Sequence, residues 1–212
     1  MAPEVHVYSL SRLVHAPATE WVKMLDSLEE GKDYANRYYL PLREAVVSFC
    51  SQKGQGRDAI VSTMVRRAQA LGGSRRQGIA MDNEAAFDIF EGCFYPRISK
   101  FHRDLLRDRQ PGVRFEGVIL VGTPHLLVTD EDERKRYVFL HAAKWKEDDL
   151  KAYLELLSVI LEQRFQACAD SIWCMNLRSG RDVRWRSGSR TRRKCAKAAH
   201  LYARLVQAMG GT

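Results

Sequence analysis

The sequence predicts an α/β protein with a mixed central β-sheet flanked by helices and an N-terminal helical part. Short β-rich runs bounded by turn residues occupy the middle of the chain. Long segments with apolar residues at helical spacing precede and follow these runs. The chain has 212 residues, of which 45% are hydrophobic, so it can bury a sizeable core and we expect one compact unit.

Three helices are expected first along the chain. They cover residues 19–30, 41–51 and 57–71. A glycine-rich turn at residues 72–78 follows, and we divide the chain there into an N-terminal helical part, residues 1–78, and a core, residues 79–212. The core is expected to open with a helix over residues 83–108, because apolar side chains recur there at helical spacing. These side chains are Phe87, Phe90, Phe94, Ile98, Phe101 and Leu105.

Three strands are expected next. They cover Val118–Val121, Leu126–Val128 and Tyr137–Leu140. Residues 122–124, Gly-Thr-Pro, bend the chain after the first strand, and a charged hairpin tip at residues 130–136 joins the second strand to the third. An amphipathic helix at residues 146–165, a strand pair within residues 171–187 and a last helix at residues 190–209 complete the predicted order.

Two short motifs frame the central hairpin. Residues 122–125, Gly-Thr-Pro-His, precede an apolar strand, and residues 142–144, Ala-Ala-Lys, end the next one. This arrangement resembles the PD-(D/E)xK nuclease superfamily, and within it the RecB-type and CRISPR-associated exonucleases. That family has an aspartate where His125 stands and a second carboxylate where Ala142 stands, so only Lys144 is unaltered. The resemblance implies a restriction-endonuclease-like core with a degenerate active site.

The two departures bear directly on the chemistry. Phosphodiester cleavage of this type uses hard oxygen ligands to hold Mg²⁺ or Mn²⁺. Alanine supplies no ligand, and an imidazole suits other metals better than Mg²⁺. We therefore treat Lys144 and His125 as remnants of a catalytic site and expect no cofactor. In an alternative, Glu84 and Asp88 of the preceding helix join His125 as displaced ligands, and the protein is an active nuclease with Mg²⁺ or Mn²⁺.

Weaker matches extend the resemblance along the chain. Near the N-terminus the sequence is similar to the Ser-x-Ser-Arg-Leu opening of RecB-type nucleases, with Ser9, Ser11, Arg12 and Leu13 at the matching positions. Ala16 stands where many members carry a cysteine, which argues against an iron–sulfur cluster. The family's helix after the lysine often contacts the site or the nucleic acid, and the resemblance assigns that role to Tyr153.

Charge distribution gives a line of argument that does not depend on the family. Residues 171–212 hold 10 Lys/Arg and one Asp/Glu, a net charge of +9, whereas the whole chain carries +8, so residues 1–170 carry −1. Cations in the first turn of a helix oppose the helix dipole, so a cluster there favours an anionic partner. Phosphates are the expected partner, with Trp173 and Trp185 available for stacking where exposed. The candidate nucleic-acid-binding residues are Arg178, Arg181, Arg184, Arg186, Arg190, Arg192, Arg193, Lys194 and Lys197.

Several classes of protein are disfavoured. The five cysteines are widely spaced without a Cys-x-x-Cys pair, so neither a disulfide framework nor a structural zinc site is indicated. The longest apolar runs are shorter than the roughly 20 residues that span a bilayer, and no signal pattern is present, so we expect an intracellular protein of the cytoplasm or nucleus without a membrane partner.

The sequence thus predicts a nucleic-acid-binding protein built on a degenerate nuclease fold, catalytically inactive and acting within a larger complex. DNA is expected in preference to RNA. Two alternatives stay open, namely the active nuclease with displaced ligands and a structural subunit that uses the fold as a protein-docking surface. An acidic protein partner would explain the basic C-terminal segment in the last case.

Overall fold

The computed structural model of the chain describes residues 2–17, 19–21, 23, 39–71, 76–102, 112–142 and 145–209. Its strands are β1 (Glu4–His6), β2 (Ile98–Phe101), β3 (Val113–Phe115), β4 (Val118–Val121), β5 (Leu126–Asp130), β6 (Lys135–His141), β7 (Ile172–Asn176) and β8 (Arg181–Asp182). Its α-helices are α1 (Val7–Leu13), α2 (Leu40–Ser51), α3 (Arg57–Leu71), α4 (Arg76–Ile89), α5 (Glu147–Phe165) and α6 (Ser189–Met209).

The central sheet has five strands in the order β2-β5-β6-β7-β8. β5 pairs antiparallel with both β2 and β6, whereas β7 runs parallel to β6 and antiparallel to β8. Helix α5 makes the crossover that a parallel pair requires between β6 and β7. Helices cover this mixed sheet, so the predicted α/β class is confirmed.

Side chains of the central strands alternate between two cores. Val138 and Leu140 of β6 enter one core with α2, α3 and α4, whereas Tyr137 and Phe139 enter the other with α1, α5 and α6. This is the period of two that a pleated strand imposes, and both faces of the sheet are buried. The near-continuous apolar sequence of β5 and β6 follows from that burial.

A second sheet attaches the N-terminus to the core. Its order is β1-β4-β3, with β1 parallel and β3 antiparallel to β4. Helix α1 follows β1 directly and packs on α5 and α6. Helix α4 runs across position 78, where the sequence divided the chain, and residues 72–75 of the predicted turn lie outside the described residues. Strand β1 and helix α1 share one hydrophobic core with the C-terminal helix.

The helix predicted over residues 83–108 is wrong in its second half. After α4, a π-helical turn covers Phe90–Phe94 and a 3-10 turn covers Tyr95–Arg97, and β2 then begins. Pro96 has no backbone N–H, so an α-helix cannot pass through it without losing a hydrogen bond. Ile98 and Phe101 instead pair with β5 at the edge of the sheet, and Leu105 lies outside the described residues.

The other helix predictions match closely. α2 and α3 lie within one residue of the predicted bounds, and α5 and α6 reproduce the two C-terminal helices. Of the helix predicted over residues 19–30, residues 19–21 and 23 are helical and the remainder lies outside the described residues. Helix α5 has three acidic residues in its first turn, which complement the positive end of the helix dipole.

Candidate nucleic-acid interface

The predicted catalytic remnants lie at one end of the β5–β6 hairpin. The backbone N–H of His125 donates to the Val138 carbonyl at 2.8 Å, and its Nδ1 accepts the Leu140 N–H at 2.9 Å. Burial holds the pKa of His125 well below its usual range, and the nearby charges of Arg43 and His6 act in the same direction. The imidazole is therefore neutral and one of its two nitrogens is already occupied. Lys144 lies outside the described residues.

The structure does not place His125 and Ala142 on one side of the sheet. The register pairs Leu126 with Val138, which sets His125 opposite Phe139, and the two rings lie 4.7 Å apart. Ala142 is buried in the other core, with Val138. The two positions lie on opposite faces of the sheet, because Ala142 follows β6 in the phase of Val138 rather than of Phe139.

A group of rings in mutual contact occupies the His125 side of the hairpin, and we call it the aromatic cluster. It consists of Tyr8, His125, Phe139, His141, Trp145 and Tyr153. The Ser-x-Ser-Arg-Leu segment borders this cluster. The hydroxyl of Ser11 donates to the Tyr8 carbonyl at 2.8 Å, and the guanidinium of Arg12 lies 5.9 Å from the Tyr8 ring centroid.

Tyr153 is a core residue, which corrects its predicted contact with nucleic acid. Its side chain is 4% exposed and stacks on Phe139 with the ring centroids 4.3 Å apart. Burial raises the pKa of Tyr153, with the nearby Cys174 acting in the same direction. His141 is buried as well, and burial together with the charge of Arg178 lowers its pKa to about 4. Tyr153 and His141 therefore contribute to core packing at this end of the hairpin.

The alternative metal ligands are not brought together. The carboxylate of Asp88 lies 2.6 Å from the Arg57 guanidinium, which also binds Glu91 at 2.7 Å. Glu84 is exposed on α4, a helix whose buried side contacts the core opposite to His125. Within the described ranges, no group of three or more His, Cys, Asp or Glu side chains is arranged to hold a metal ion.

The basic C-terminal segment is accessible over most of its length. Helix α6 buries Cys195, Ala198, Ala199 and Ala203 against the core. Its opposite side carries exposed cations spaced three, four or seven residues apart, which places them on one face. We call this face the basic stripe, and it consists of Arg190, Arg193, Lys194, Lys197 and Arg204. Arg190 and Arg204 are 14 positions apart, so the stripe is about 21 Å long.

Arg192 differs from its neighbours, because it faces α5. Its guanidinium lies 2.6 Å from Glu162 and 3.7 Å from Glu155. The Glu155 side chain is fully buried and also accepts the Ser187 hydroxyl at 2.8 Å and the Gly188 N–H at 3.1 Å. Arg192 is therefore corrected from a predicted phosphate contact to a residue that fixes the start of α6 on α5.

The remaining candidate arginines lie on the turn after β7 and in the segment leading to α6. Arg178 and Arg181 are exposed, and Arg178 hydrogen-bonds the Tyr39 hydroxyl. Arg184 and Arg186 are exposed too. Neither of the latter pair has an ion-pair partner among the described residues.

The two tryptophans proposed for stacking differ in accessibility. Trp173 is 7% exposed, donates its indole N–H to Asp182 at 2.9 Å, and lies under the Arg97 guanidinium at 4.7 Å. It is closed to a base, which corrects that expectation. Trp185 is half-buried, since it packs on the core with α5 while also lining a surface cleft. Trp173 also lines this cleft, but Trp185 is the less buried of the two rings.

Comparisons with known proteins give no family. No family model matches the sequence, and no curated protein or solved structure matches it significantly. In the part of the chain that the structure describes, no helix is both long and apolar enough to cross a membrane.

Two groups of functional interest were not found from the sequence. Glu155 reads as one acid within an amphipathic helix, yet it is the buried anchor of α6. Arg97 and Arg136 line the same cleft as Arg184 and Arg186, although they lie far apart in sequence. Neither group has a local sequence signal, because each depends on pairing between distant elements.

Proposed function

We propose that this protein binds nucleic acid through the basic stripe of α6, as an intracellular, non-catalytic component of a larger complex. The observation that carries the proposal is a row of five exposed cations on a helix that is firmly held on its other side. Phosphate backbones present a regular row of negative charge, and their neutralisation by Lys and Arg releases counterions. DNA is the proposed ligand in preference to RNA.

The geometry of α6 supports this role in two ways. Arg190, Arg193 and Lys194 lie in the first turns of α6, which contain no acidic residue of their own, so these cations add to the positive end of the helix dipole. A bound phosphate would relieve that repulsion. The Glu155 contacts to Ser187, Gly188 and Arg192 also hold the beginning of α6 in place, so the stripe is presented on a fixed support.

The relation to PD-(D/E)xK nucleases stays a proposal. Its support is the order of elements, in which the β5–β6 hairpin leads into the crossover helix α5 and then into β7 parallel to β6. Catalytic inactivity belongs to the same proposal. The test is incubation of single- and double-stranded DNA and RNA with the protein in Mg²⁺ or Mn²⁺, where no cleavage above background is expected. Cleavage that is abolished by Lys144→Ala would establish the nuclease alternative instead.

The binding test measures affinity for a duplex and for a single strand over a range of salt concentrations. The quadruple variant Arg190→Gln, Arg193→Gln, Lys194→Gln and Lys197→Gln removes four cations and should reduce the slope of log K against log salt by about 3. Arg192 is left intact because it stabilises the fold. The loss of affinity should be similar for all sequences, since phosphate contacts carry no base information.

A matched control removes the same charge elsewhere. The residues changed to Gln are Arg66, Lys100, Arg134 and Lys135, all exposed. The control variant should retain the parental slope within about one unit. Equal slopes for the parent and the stripe variant would show that α6 is not the binding surface. An acidic protein partner would then be the better explanation of the charge, and the docking-subunit alternative would replace this proposal.

A further inference from the structure

A second cationic surface includes the segment that precedes α6 in the chain. It is a cleft of about 590 Å³ between the β7–β8 edge of the central sheet and residues 183–186, and we call it the arginine cleft. Its volume is within the range of about 300–1,000 Å³ that is typical of small-molecule sites. Its walls include Arg97, Arg136, Arg184, Arg186 and Trp185.

Two of the four arginines are neutralised within the cleft. Arg97 binds Asp182 through two hydrogen bonds of 3.0 Å, and Arg136 binds Asp130 at 2.7 Å. Burial raises the pKa of Asp182, but the hydrogen bonds from Arg97 and Trp173 outweigh it, so the pKa is lowered overall. Both acids thus stay charged and matched at neutral pH.

The other two arginines supply the excess charge. Arg184 and Arg186 are exposed, line the same cleft and have no acidic partner among the described residues. With four arginines and two aspartates in its lining, the cleft carries a net charge of +2. A phosphate monoester carries about −1.5 to −2 at pH 7 and accepts the bidentate hydrogen bonds that guanidinium groups donate.

An aromatic surface accompanies this charge. Trp185 stands between the two arginines in the chain, packs on the core with part of its ring buried, and lines the cleft with the rest. Its position is further fixed because Val183 donates to the Cys174 carbonyl at 2.9 Å and Gly188 donates to Glu155 at 3.1 Å. Single-strand binding proteins hold bases by stacking them on aromatic rings of this kind.

We propose that the arginine cleft binds a nucleoside monophosphate group, with its phosphate at Arg184 and Arg186 and its base against Trp185. The group is either a free mononucleotide or the phosphorylated end of a strand. The second source rests on the proposed function, since the segment that carries these arginines leads into α6, which begins at Ser189 and carries the basic stripe. A strand whose phosphates follow α6 would then reach the cleft with its terminal nucleotide.

The test compares ligands that differ only in the terminal phosphate. Single strands of one sequence carry a 5′-phosphate, a 3′-phosphate or hydroxyls at both ends, and free nucleoside monophosphate, nucleoside and inorganic phosphate are titrated separately. One phosphorylated strand should bind about tenfold more tightly than the hydroxyl strand. Nucleoside monophosphate should bind saturably and more tightly than either the nucleoside or inorganic phosphate.

The variant Arg184→Gln with Arg186→Gln should abolish the preference for the phosphate. Both side chains are exposed, so the variant should fold, and its melting temperature is measured alongside. Arg178→Gln with Arg181→Gln is the matched control, because these arginines are exposed near the same hairpin but do not line the cleft. This control should retain the preference. Trp185→Leu should weaken the mononucleotide while leaving inorganic phosphate unchanged.

Each outcome has a distinct meaning. A preference that persists in the Arg184 and Arg186 variant, or no preference and no saturable mononucleotide binding by the parent, overturns the inference. Equal competition by inorganic phosphate and mononucleotide overturns the base contact. If the parent shows no preference for a phosphorylated strand but still binds strands in a salt-dependent way, the inference fails and the proposed function stands. Mononucleotide binding without any strand binding supports the cleft and overturns the proposed function.

Discussion

The aromatic cluster is largely buried, whereas the basic stripe is exposed, although α5 contacts both the cluster and the helix that carries the stripe. The aromatic cluster contains the position that resembles a nuclease ligand, yet both of its histidines pack against Phe139 and have a lowered pKa. The basic stripe has no motif at all, yet its cations are exposed. A sequence motif indicates resemblance to other chains, whereas exposed cations without acidic partners indicate a surface that can bind an anionic ligand.

The largest effect on stability should come from the aromatic cluster. Phe139 contacts four other rings, so Phe139→Ala should lower the free energy of unfolding by about 4 kcal/mol. Chemical denaturation measures the loss. Phe101→Ala, on the half-buried edge strand, should cost less than half as much. Similar losses for the two variants would mean that the cluster is not tightly packed.

The aromatic cluster should also make the stability of the protein sensitive to acid, through His141. His141 has a folded pKa of about 4 against an ordinary value of 6.5, so below pH 6.5 the unfolded chain binds a proton that the folded protein does not. The free energy of unfolding should therefore fall between pH 6.5 and about 4, by about 3 kcal/mol from this residue. Above pH 6.5, His141 is neutral in both the folded and the unfolded state and does not lower the stability. Below pH 4 it is protonated in both states, and the loss of stability stays constant.

Substitution at this position isolates the contribution. His141→Phe keeps a ring for stacking and cannot titrate, so denaturation at a series of pH values should show a shallower loss. His200→Gln, on the exposed surface of α6, should leave the parental slope unchanged. An unchanged slope in the His141 variant would assign the acid sensitivity to other groups.

The contacts by which α5 holds the start of α6 can be weakened by substitution at Glu155. Glu155→Gln retains the shape of the side chain but places an amide N–H₂ among donors, so it should cost about 2 kcal/mol of stability. Glu162→Gln changes the half-buried partner of the same Arg192 and should cost under about 1 kcal/mol. Equal costs would indicate that the buried hydrogen bonds from Ser187 and Gly188 contribute little.

The smallest effect should have the opposite sign. Arg190→Glu places an acid in the first turn of α6, where it complements the helix dipole, and should raise the free energy of unfolding by about 0.5 kcal/mol. The same change should weaken nucleic-acid binding. Thermal denaturation and a binding titration on one sample check both signs. A variant that loses both stability and affinity would show that Arg190 has a structural role.

Much of the fold could be predicted because its signals are local. Helix α3 has helical periodicity and matches its predicted bounds, and the β5–β6 hairpin has a charged tip between apolar strands, so its strands were predicted to within two residues at each end. The edge strand β2 was missed, since Ile98 and Phe101 continue the helical spacing of Phe87, Phe90 and Phe94. Pro96 ends the helix and pairing with the distant strand β5 makes this segment a strand, and the spacing of apolar residues contains no information on either effect.

The site was less predictable for a related reason. The faces of His125 and Ala142 depend on the strand register, which a motif does not encode. The exposure of Arg190 and the involvement of Arg192 with α5 depend on how α6 is rotated, and a count of charges treats both residues alike. The net charge of the segment was nevertheless informative, because few acidic residues of the segment were available to neutralise it.

The pairing of β1 with β4 has a consequence for synthesis of the chain. Glu4 pairs with Ile119, which is 115 positions later, and the Glu4 carbonyl accepts the Tyr202 hydroxyl at 3.3 Å. At about 5–20 residues per second, the ribosome needs roughly 6–23 s after making β1 to deliver its partner strand. Strand β1 must therefore wait unpaired until β4 has been made, and the small sheet closes only after its central strand has emerged.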